Sequence, residues 1–322
     1  MKINKKTKQS IVLFFHAYGV REFLMLLKYY KLTPSTSKKP MLISTIDGKR
    51  HTQGLTDRFN GIISMYALAK ATNTPFKIIY THPFHLTEFL IPNRYNWIPE
   101  ENELSDSVKD IRIKIIRKRH TLKKLLRLFP LKKQVRVYAN INYLDEINTL
   151  YHQNYTWGEL FDELFKPTKK LEEQITFHTQ KIGGKFIACV FRFQSLMGDF
   201  KEYNYKPLSK EEQEQLIEKN KNALLQLTEK NNCPVLVTSD SSTFISKIQN
   251  MNNVYTIPGR VVHLDCVFDE ETDVYMKSFI DFLMISKAEK VYSIGTKIMY
   301  QTNFPRYAAK IRNVPFERIL IE

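Results

Sequence analysis

The sequence predicts an α/β fold made of two halves, each a parallel β-sheet with helices packed on its faces. Three observations support this. Strand-like and helical segments alternate along the chain, as is typical of parallel sheets. The chain has 322 residues, enough for two domains of roughly 150 residues with buried cores. Hydrophobic residues make up 43% and charged residues 25%, which is typical of a globular protein and excludes a disordered or fibrous one.

The first half alternates in the order strand, turn, helix, strand. Residues 41–45 are predicted to form a short strand and residues 52–58 a turn. Residues 59–72 carry apolar side chains at helical spacing, and residues 76–80 form a second apolar strand. Residues 82–107 contain three prolines and are predicted to be a loop.

The second half repeats this alternation more clearly. Its predicted strands are 186–193, 234–240, 254–257 and 290–294, and its predicted helices are 209–231, 242–250 and 273–287. Ser209 begins the longest helix, and Glu212 three residues later completes a capping box. Parallel strand–helix–strand connections make this half a Rossmann-like unit.

A domain boundary is expected between residues 165 and 183. This stretch contains Pro167 and the consecutive glycines Gly183 and Gly184, which punctuate the pattern. The expected domains are therefore residues 1–170 and residues 171–322.

The positive charge is concentrated in two segments. The net charge is +16. Residues 1–40 hold nine basic residues and one acid, and residues 109–136 hold twelve basic residues and one acid, so the rest of the chain is slightly acidic. Such a distribution predicts an anionic partner for these segments.

Cysteine usage and hydropathy exclude two further classes of protein. Cys189, Cys233 and Cys266 are far apart, which excludes a disulfide framework or a cysteine-rich zinc module and fits a reducing compartment. No segment has the roughly 20 apolar residues that span a bilayer, and no signal peptide is recognised. The chain is therefore expected to be cytoplasmic or peripheral to a membrane.

Three predicted strands of the second half end in polar residues. Arg192 lies at the end of the first of these strands. Asp240 lies at the end of the second, with Ser239 before it and Ser241 and Ser242 after it. The third strand end carries Ser293, Gly295 and Thr296. Ligands of open α/β sheets bind beyond the carboxyl ends of the strands, so these residues are expected to meet. An arginine can hold a phosphate bidentately, a helix amino terminus can offer N–H groups to it, and an aspartate can accept hydrogen bonds from a base or ribose. The pattern predicts a nucleoside-diphosphate site.

Each of these residues also has a structural interpretation, which the sequence leaves open. Asp240 and the serines around it can cap a helix. Arg192 can pair with a carboxylate at the strand end. In the first half, Gly54 can simply permit a tight turn and Asp57 can favour the helix start, whereas Gly54 and Arg58 together can also contact a sugar or phosphate.

Five short stretches in a fixed order resemble a known family. They are residues 54–62 (GLTDRFNGI), 190–192 (VFR), 238–240 (TSD), 293–296 (SIGT) and 307–309 (YAA). Their order resembles the α-1,6-, α-1,2- and protein O-fucosyltransferase superfamily, most of all the bacterial nodulation fucosyltransferase type. The resemblance implies a GT-B-like fold, with two Rossmann-like domains facing a cleft. It also implies an inverting, metal-independent transfer from GDP-fucose, with the nucleotide held mainly by the carboxyl-terminal domain.

The resemblance also implies roles for individual residues. Arg192 resembles the arginine that contacts the β-phosphate, and Asp240 resembles the aspartate that binds the guanosine. The expected donor-binding set is Gly54, Arg58, Arg192, Asp240, Ser241, Ser293, Gly295 and Thr296. Val190 and Phe193 depart from the family pattern, where a histidine and a second arginine are usual, which leaves room for a different donor sugar.

The catalytic base is not fixed by the resemblance. Asp199 and Glu202 are the carboxylates nearest to Arg192 in the loop where a base would lie, and they are the predicted candidates. No metal and no cofactor besides the donor sugar are expected. His82 and His85 flank a proline without neighbouring ligands, and His263 with Asp265 can equally mark a strand end.

Residues 115–129 are predicted to form an amphipathic basic helix. One interpretation is a surface helix that packs its leucines on the sheet. The other is a membrane-surface helix, aided by the lysines Lys2, Lys5, Lys6 and Lys8, that would bring the enzyme to a lipid-linked glycan.

The sequence therefore predicts a glycosyltransferase that moves fucose or a related sugar onto a glycan or lipid-linked glycan in bacterial surface-polysaccharide synthesis. The alternative is a non-catalytic protein that binds polyanions or membranes on a degenerate Rossmann scaffold. Nucleic acid is the less favoured anion, because no nucleic-acid-binding motif is found.

Overall fold

A computed structural model describes residues 28–51, 53–117, 119–199, 206–262, 264 and 273–322. The strands are β1 Leu42–Ile46, β2 Phe76–Tyr80, β3 Leu90–Pro92, β4 Ile111–Ile116, β5 Gln134–Ala139, β6 Phe165–Pro167, β7 Ile187–Phe191, β8 Val235–Ser239, β9 Val254–Thr256, β10 Lys290–Thr296 and β11 Phe316–Ile321. The helices are α1 Leu55–Ala71, α2 Arg119–Leu126, α3 Leu144–Tyr151, α4 Trp157–Leu164, α5 Lys169–Ile182, α6 Lys210–Asn231, α7 Ser242–Ile248, α8 Asp273–Ile285 and α9 Phe304–Ile311.

Two parallel sheets form the framework, as the alternation of strands and helices predicts. The first has the strand order β2-β1-β5-β4, and the second has the order β11-β10-β7-β8-β9. All residues of β1, β5, β7 and β8 are buried, because helices cover both faces of a parallel sheet. The prediction of a mixed α/β fold with two Rossmann-like sheets is confirmed.

One apolar core runs between the two sheets. Phe59 of α1 stacks on Phe282 of α8 with ring centroids 5.7 Å apart, and Phe89 stacks on Phe279 at 4.3 Å. Residues of both halves belong to the same buried cluster. The α5 helix begins at the expected domain boundary and packs against α8, and the boundary near residue 170 stays a prediction.

Three predictions about the first half need correction. The predicted turn at residues 52–58 is shorter, because α1 begins at Leu55 and not at residue 59. Residues 82–107 are not only a loop, because β3 lies within them and pairs antiparallel with β6. The predicted basic helix 115–129 is shorter: residues 115 and 116 belong to β4, and α2 begins at Arg119. The isoleucine-rich alternation of β4 fits a half-buried strand paired with β5 better than a helix.

The α2 helix packs its leucines inward. Leu122 and Leu125 are buried, and Phe129 packs against the core. Lys123 and Lys124 are exposed on the other side. This is the arrangement of a surface helix packed on the sheet. The amino-terminal lysines lie outside the described residues, and none of the helices that the structure describes is long and apolar enough to cross a membrane.

Gly61 allows α1 to approach β5 closely. A Cβ atom at this position would lie 1.9 Å from the Ala139 carbonyl oxygen, which is backbone and cannot rotate away. We therefore expect Gly61→Ala to lower the free energy of unfolding by about 1–3 kcal/mol, the usual cost of overpacking a core. Chemical denaturation measures this difference.

The matched control is Gly54→Ala. Gly54 has an ordinary φ of −70°, and a Cβ there would meet only the Asp57 carboxylate at 4.0 Å. Its stability should stay within about 0.5 kcal/mol of the parent chain. Equal destabilisation by the two substitutions would contradict the close approach of α1 to β5.

Candidate functional site

A cleft of about 810 Å³ opens between the two sheets. One wall is formed by residues 53–57, which are the end of the turn before α1 and the first residues of that helix. The other wall comes from the carboxyl ends of β7 and β8, from residues 302–304 at the start of α9, and from Ser278 and Asp281 of α8. The volume is in the range of small-molecule ligand sites, and the carboxyl ends of parallel strands are where such sites form.

Arg192 and Asp240 meet at this edge because β7 and β8 are paired in register. Phe191 lies opposite Ser239, so the next residue of each strand is a neighbour. An Nη1 atom of Arg192 lies 2.9 Å from Oδ2 of Asp240. Both residues line the cleft. The Arg192 side chain is 16% exposed and that of Asp240 only 2%, so the guanidinium forms the accessible surface and the carboxylate lies behind it.

The Asp240 carboxylate holds the turn after β7. Its oxygens accept hydrogen bonds from the backbone N–H groups of Phe193, at 2.8 Å, and Gln194, at 2.6 Å. Burial raises the pKa of Asp240, and the Arg192 guanidinium and these two N–H groups oppose the rise. Gln194 has a positive φ of 55°, a conformation that these bonds stabilise. Asp240 therefore orients Arg192. This agrees with the structural interpretation given above, in which Arg192 pairs with a carboxylate at the strand end.

Ser241 and Asp199 lie at the start of α7. The Ser241 hydroxyl accepts from Phe244 N–H and donates to Asp199 Oδ2 at 2.8 Å. Asp199 also accepts from the backbone N–H of Thr243 at 2.7 Å. A carboxylate at a helix amino terminus is stabilised by the helix dipole. Neither residue is among those that line the cleft. Glu202, the second predicted base, lies outside the described residues.

The third predicted strand end is part of the strand. Ser293, Gly295 and Thr296 lie within β10, which runs two residues beyond its predicted end because β11 pairs with it up to Thr296. Ser293 and Thr296 are buried, and none of the three lines the cleft. The cleft wall here is formed by the following segment, which includes Tyr300 and Asn303.

Gly54 lines the cleft, whereas Arg58 lies behind it. Arg58 is 0% exposed. Its guanidinium donates to the carbonyl oxygen of Gln53 at 3.0 Å and to that of His82 at 2.6 Å. These bonds tie the turn before α1 to the end of β2. Arg58 thus positions the cleft wall and does not present its own charge to the cleft.

Two cleft carboxylates are missing from the predicted set. Asp57 is half-buried in the first turn of α1, and Asp281 is buried on α8. Asp281 forms an ion pair with Lys277, and burial raises the pKa of Asp281 while Lys277 opposes the rise. The sequence signal for it is that Lys277 and Asp281, four residues apart, interrupt the largely apolar run that follows Asp273.

The two predicted histidines that the structure describes, His82 and His85, have structural surroundings. His85 caps the short 3₁₀ turn at Leu86–Glu88, and His82 packs against Gly48. Within the described ranges, no three His, Cys, Asp or Glu side chains are grouped as metal ligands would be. His263 and Asp265 lie outside those ranges.

Comparison with known proteins gives matches among solved structures only. No protein-family profile and no curated protein matches the chain. A mutant of Arabidopsis thaliana FUT1 in complex with GDP superposes with a TM-score of 0.54 at 12% identity, covering 88% of this chain and 71% of that one. The apo form of POFUT1 superposes with a TM-score of 0.50 at 10% identity, covering 89% and 99%.

A third similar structure is fucosyltransferase NodZ from Bradyrhizobium, with a TM-score of 0.49, 12% identity and coverage of 84% of this chain and 92% of that one. At these identities the likeness is one of fold. The resemblance to fucosyltransferases is confirmed at that level by the FUT1 and POFUT1 superpositions. The chain has the GT-B-like α/β fold of the solved FUT1 and POFUT1 structures.

Proposed function

We propose that this chain is an inverting glycosyltransferase that moves fucose from GDP-fucose to a hydroxyl group of a glycan or lipid-linked glycan in bacterial surface-polysaccharide synthesis. The observation that carries the proposal is the Arg192 guanidinium, which faces a ligand-sized cleft and is fixed from behind by Asp240. The shared fold and the ordered motifs support the same donor class.

Arg192 fits the chemistry of a diphosphate leaving group. In the transfer, the acceptor oxygen forms a bond to the anomeric carbon, the bond from that carbon to the β-phosphate oxygen breaks, and GDP leaves with the electron pair. Negative charge grows on the β-phosphate as this bond breaks. A fixed guanidinium stabilises that charge without reorganising, which is the most effective form of electrostatic catalysis. The transfer as proposed uses no metal ion.

The first experiment compares nucleotides. We expect GDP and GDP-fucose to raise the melting temperature of the chain, with little response to UDP, ADP or CMP. Arg192→Ala should weaken GDP binding about 10–100-fold, because it removes charge-assisted hydrogen bonds to phosphate. Isothermal titration calorimetry measures the affinity.

Exposed Arg312 provides the matched control, since Arg312→Ala removes the same charge elsewhere and should leave GDP binding unchanged. Selective stabilisation by UDP or ADP would retain a nucleotide-sugar transferase and reject fucose as the donor sugar. An unchanged GDP affinity in Arg192→Ala would reject the site.

Asp57 is the cleft carboxylate best placed to accept the acceptor proton. Asp57 lies on the first-half wall, across the cleft from the sheet edge that carries Arg192. An acceptor hydroxyl between the two would meet a proton acceptor on one side and the donor on the other.

We expect Asp57→Asn to slow GDP release from GDP-fucose about 100-fold or more while changing GDP affinity little, because it removes the proton acceptor and keeps the shape. Because the acceptor is not known, the assay measures hydrolysis of GDP-fucose, in which water takes the place of the acceptor. Asp199→Asn is the comparison variant. We expect it to lower the melting temperature, because Asp199 accepts hydrogen bonds at the start of α7, and to leave the turnover per folded molecule near normal. The reverse pattern would restore Asp199 as the base.

The alternative of a non-catalytic polyanion-binding protein is favoured by one observation, the exposed basic surface of the first half. It predicts salt-sensitive anion binding with no response to any nucleotide. The cytoplasmic, membrane-peripheral location stays a prediction.

A further inference from the structure

Tyr300 gives the cleft an exposed aromatic side chain. It lines the cleft and is 53% exposed, whereas the phenylalanines that line the cleft, Phe191 and Phe304, are buried and partly buried. A tyrosine ring is a flat apolar surface, and covering it with a ligand removes apolar area from water. Tyr300 is therefore a surface on which a flat apolar face of a ligand can pack.

The backbone that carries Tyr300 is held in place. Met299 before it is buried, and the carbonyl oxygen of Tyr300 accepts a hydrogen bond from Thr302 N–H at 3.0 Å. Arg318 of β11 donates to the side-chain oxygen of Gln301 at 3.1 Å and to the carbonyl oxygen of Thr302 at 3.0 Å. Because these bonds exist without a ligand, packing on the ring needs little ordering of the chain.

Tyr300 lies at the rim of the cleft, beside the proposed place of the donor diphosphate. It belongs to the segment that follows β10, and β10 is paired with β7, the strand that Arg192 follows. The Arg192 side chain is mostly buried, whereas the Tyr300 side chain is exposed. A donor held by Arg192 would occupy the interior of the cleft. The part of a second substrate that extends out of the cleft would then meet Tyr300.

Polar groups next to Tyr300 suit a sugar. Asn303, the N-cap residue of α9, is exposed and lines the cleft, and its side chain forms no capping bond within the described helix. Its carboxamide can both donate hydrogen bonds to hydroxyl groups and accept them. An aromatic ring beside a carboxamide matches a pyranose, which has apolar C–H faces and hydroxyl groups around its edge.

The faces of pyranoses differ in a way that an aromatic ring detects. In β-linked gluco- and galacto-configured sugars, the axial hydrogens at C1, C3 and C5 make one face apolar. In α-linked mannose, an axial oxygen stands on each face, O1 on one and O2 on the other. Packing either of these faces on an aromatic ring would bury a polar oxygen without a partner, which is costly.

We propose that Tyr300 is the residue on which the acceptor sugar packs, and that this sugar is a β-linked gluco- or galacto-configured pyranose whose apolar face covers the ring. This inference rests on the proposed function, because it takes the cleft to be the place of transfer. It adds the class of acceptor sugar and the residue that selects it.

The experiment measures binding of cellotetraose and β-1,4-galactotetraose by saturation-transfer NMR in the presence of excess GDP. Tyr300→Ala is the test variant, and Tyr300→Phe keeps the ring without its hydroxyl group. The matched control is Phe177→Ala, which removes an exposed aromatic ring of α5 that is not among the residues lining the cleft.

We expect the parent chain to bind both tetrasaccharides, with the strongest saturation transfer at the axial hydrogens of C1, C3 and C5. Tyr300→Ala should bind them about 3–10-fold more weakly, the usual effect of losing one aromatic packing partner, whereas Tyr300→Phe and Phe177→Ala should bind like the parent chain. No binding by the parent chain, equal binding by Tyr300→Ala, or equally tight binding of α-1,2-mannotetraose would overturn the inference.

Affinity for GDP, measured by calorimetry on the same variants, separates this inference from the proposed function. Tyr300→Ala should keep the GDP affinity of the parent chain; a 3–10-fold loss would mean that the nucleobase packs on Tyr300 and would overturn the inference. If GDP binds and the tetrasaccharides do not need Tyr300, only this inference fails. If the tetrasaccharides need Tyr300 but neither GDP nor GDP-fucose binds, the proposed function fails and the acceptor role of Tyr300 fails with it.

Discussion

The buried carboxylate of Asp240 is the constraint on which the rest of the site depends. It lies at the end of β8 and binds three groups that follow β7: the N–H groups of Phe193 and Gln194 and the guanidinium of Arg192. A carboxylate this deeply buried is tolerated only when such partners replace water, and breaking a buried ion pair costs about 3–5 kcal/mol. The bonds therefore fix the turn after β7, and the turn fixes the direction in which Arg192 points.

The opposite wall of the cleft is fixed by different means. Arg58 binds the carbonyl oxygens of Gln53 and His82 and so holds the turn before α1 against the end of β2. The stacking of Phe59 on Phe282 joins α1 to α8, which carries part of the second wall. Both walls are thus set before a ligand arrives. The proposed transfer requires such preorganisation of its guanidinium and its carboxylate, because it removes costly rearrangement at the transition state.

Much of the fold can be predicted from the sequence, and so can the meeting of Arg192 and Asp240 in the site. Hydrophobic strands alternating with helices predict two parallel sheets, and parallel register then brings Arg192 and Asp240 together. What sequence cannot provide is the depth and direction of a side chain. Arg58 follows a cleft-lining turn but is buried, Asp199 is turned toward the start of α7, and β10 continues through Gly295 because β11 covers it. These outcomes depend on tertiary neighbours that lie far away in the chain.

A crystal structure of the chain with GDP tests whether Arg192 binds the diphosphate. We expect a β-phosphate oxygen about 2.7–2.9 Å from the Arg192 guanidinium, the distance of a charge-assisted hydrogen bond. Asp240 should keep its bonds to Phe193 and Gln194. GDP bound away from Arg192, or an Asp240 carboxylate that leaves the turn to bind the nucleoside, would contradict the proposed role of this pair.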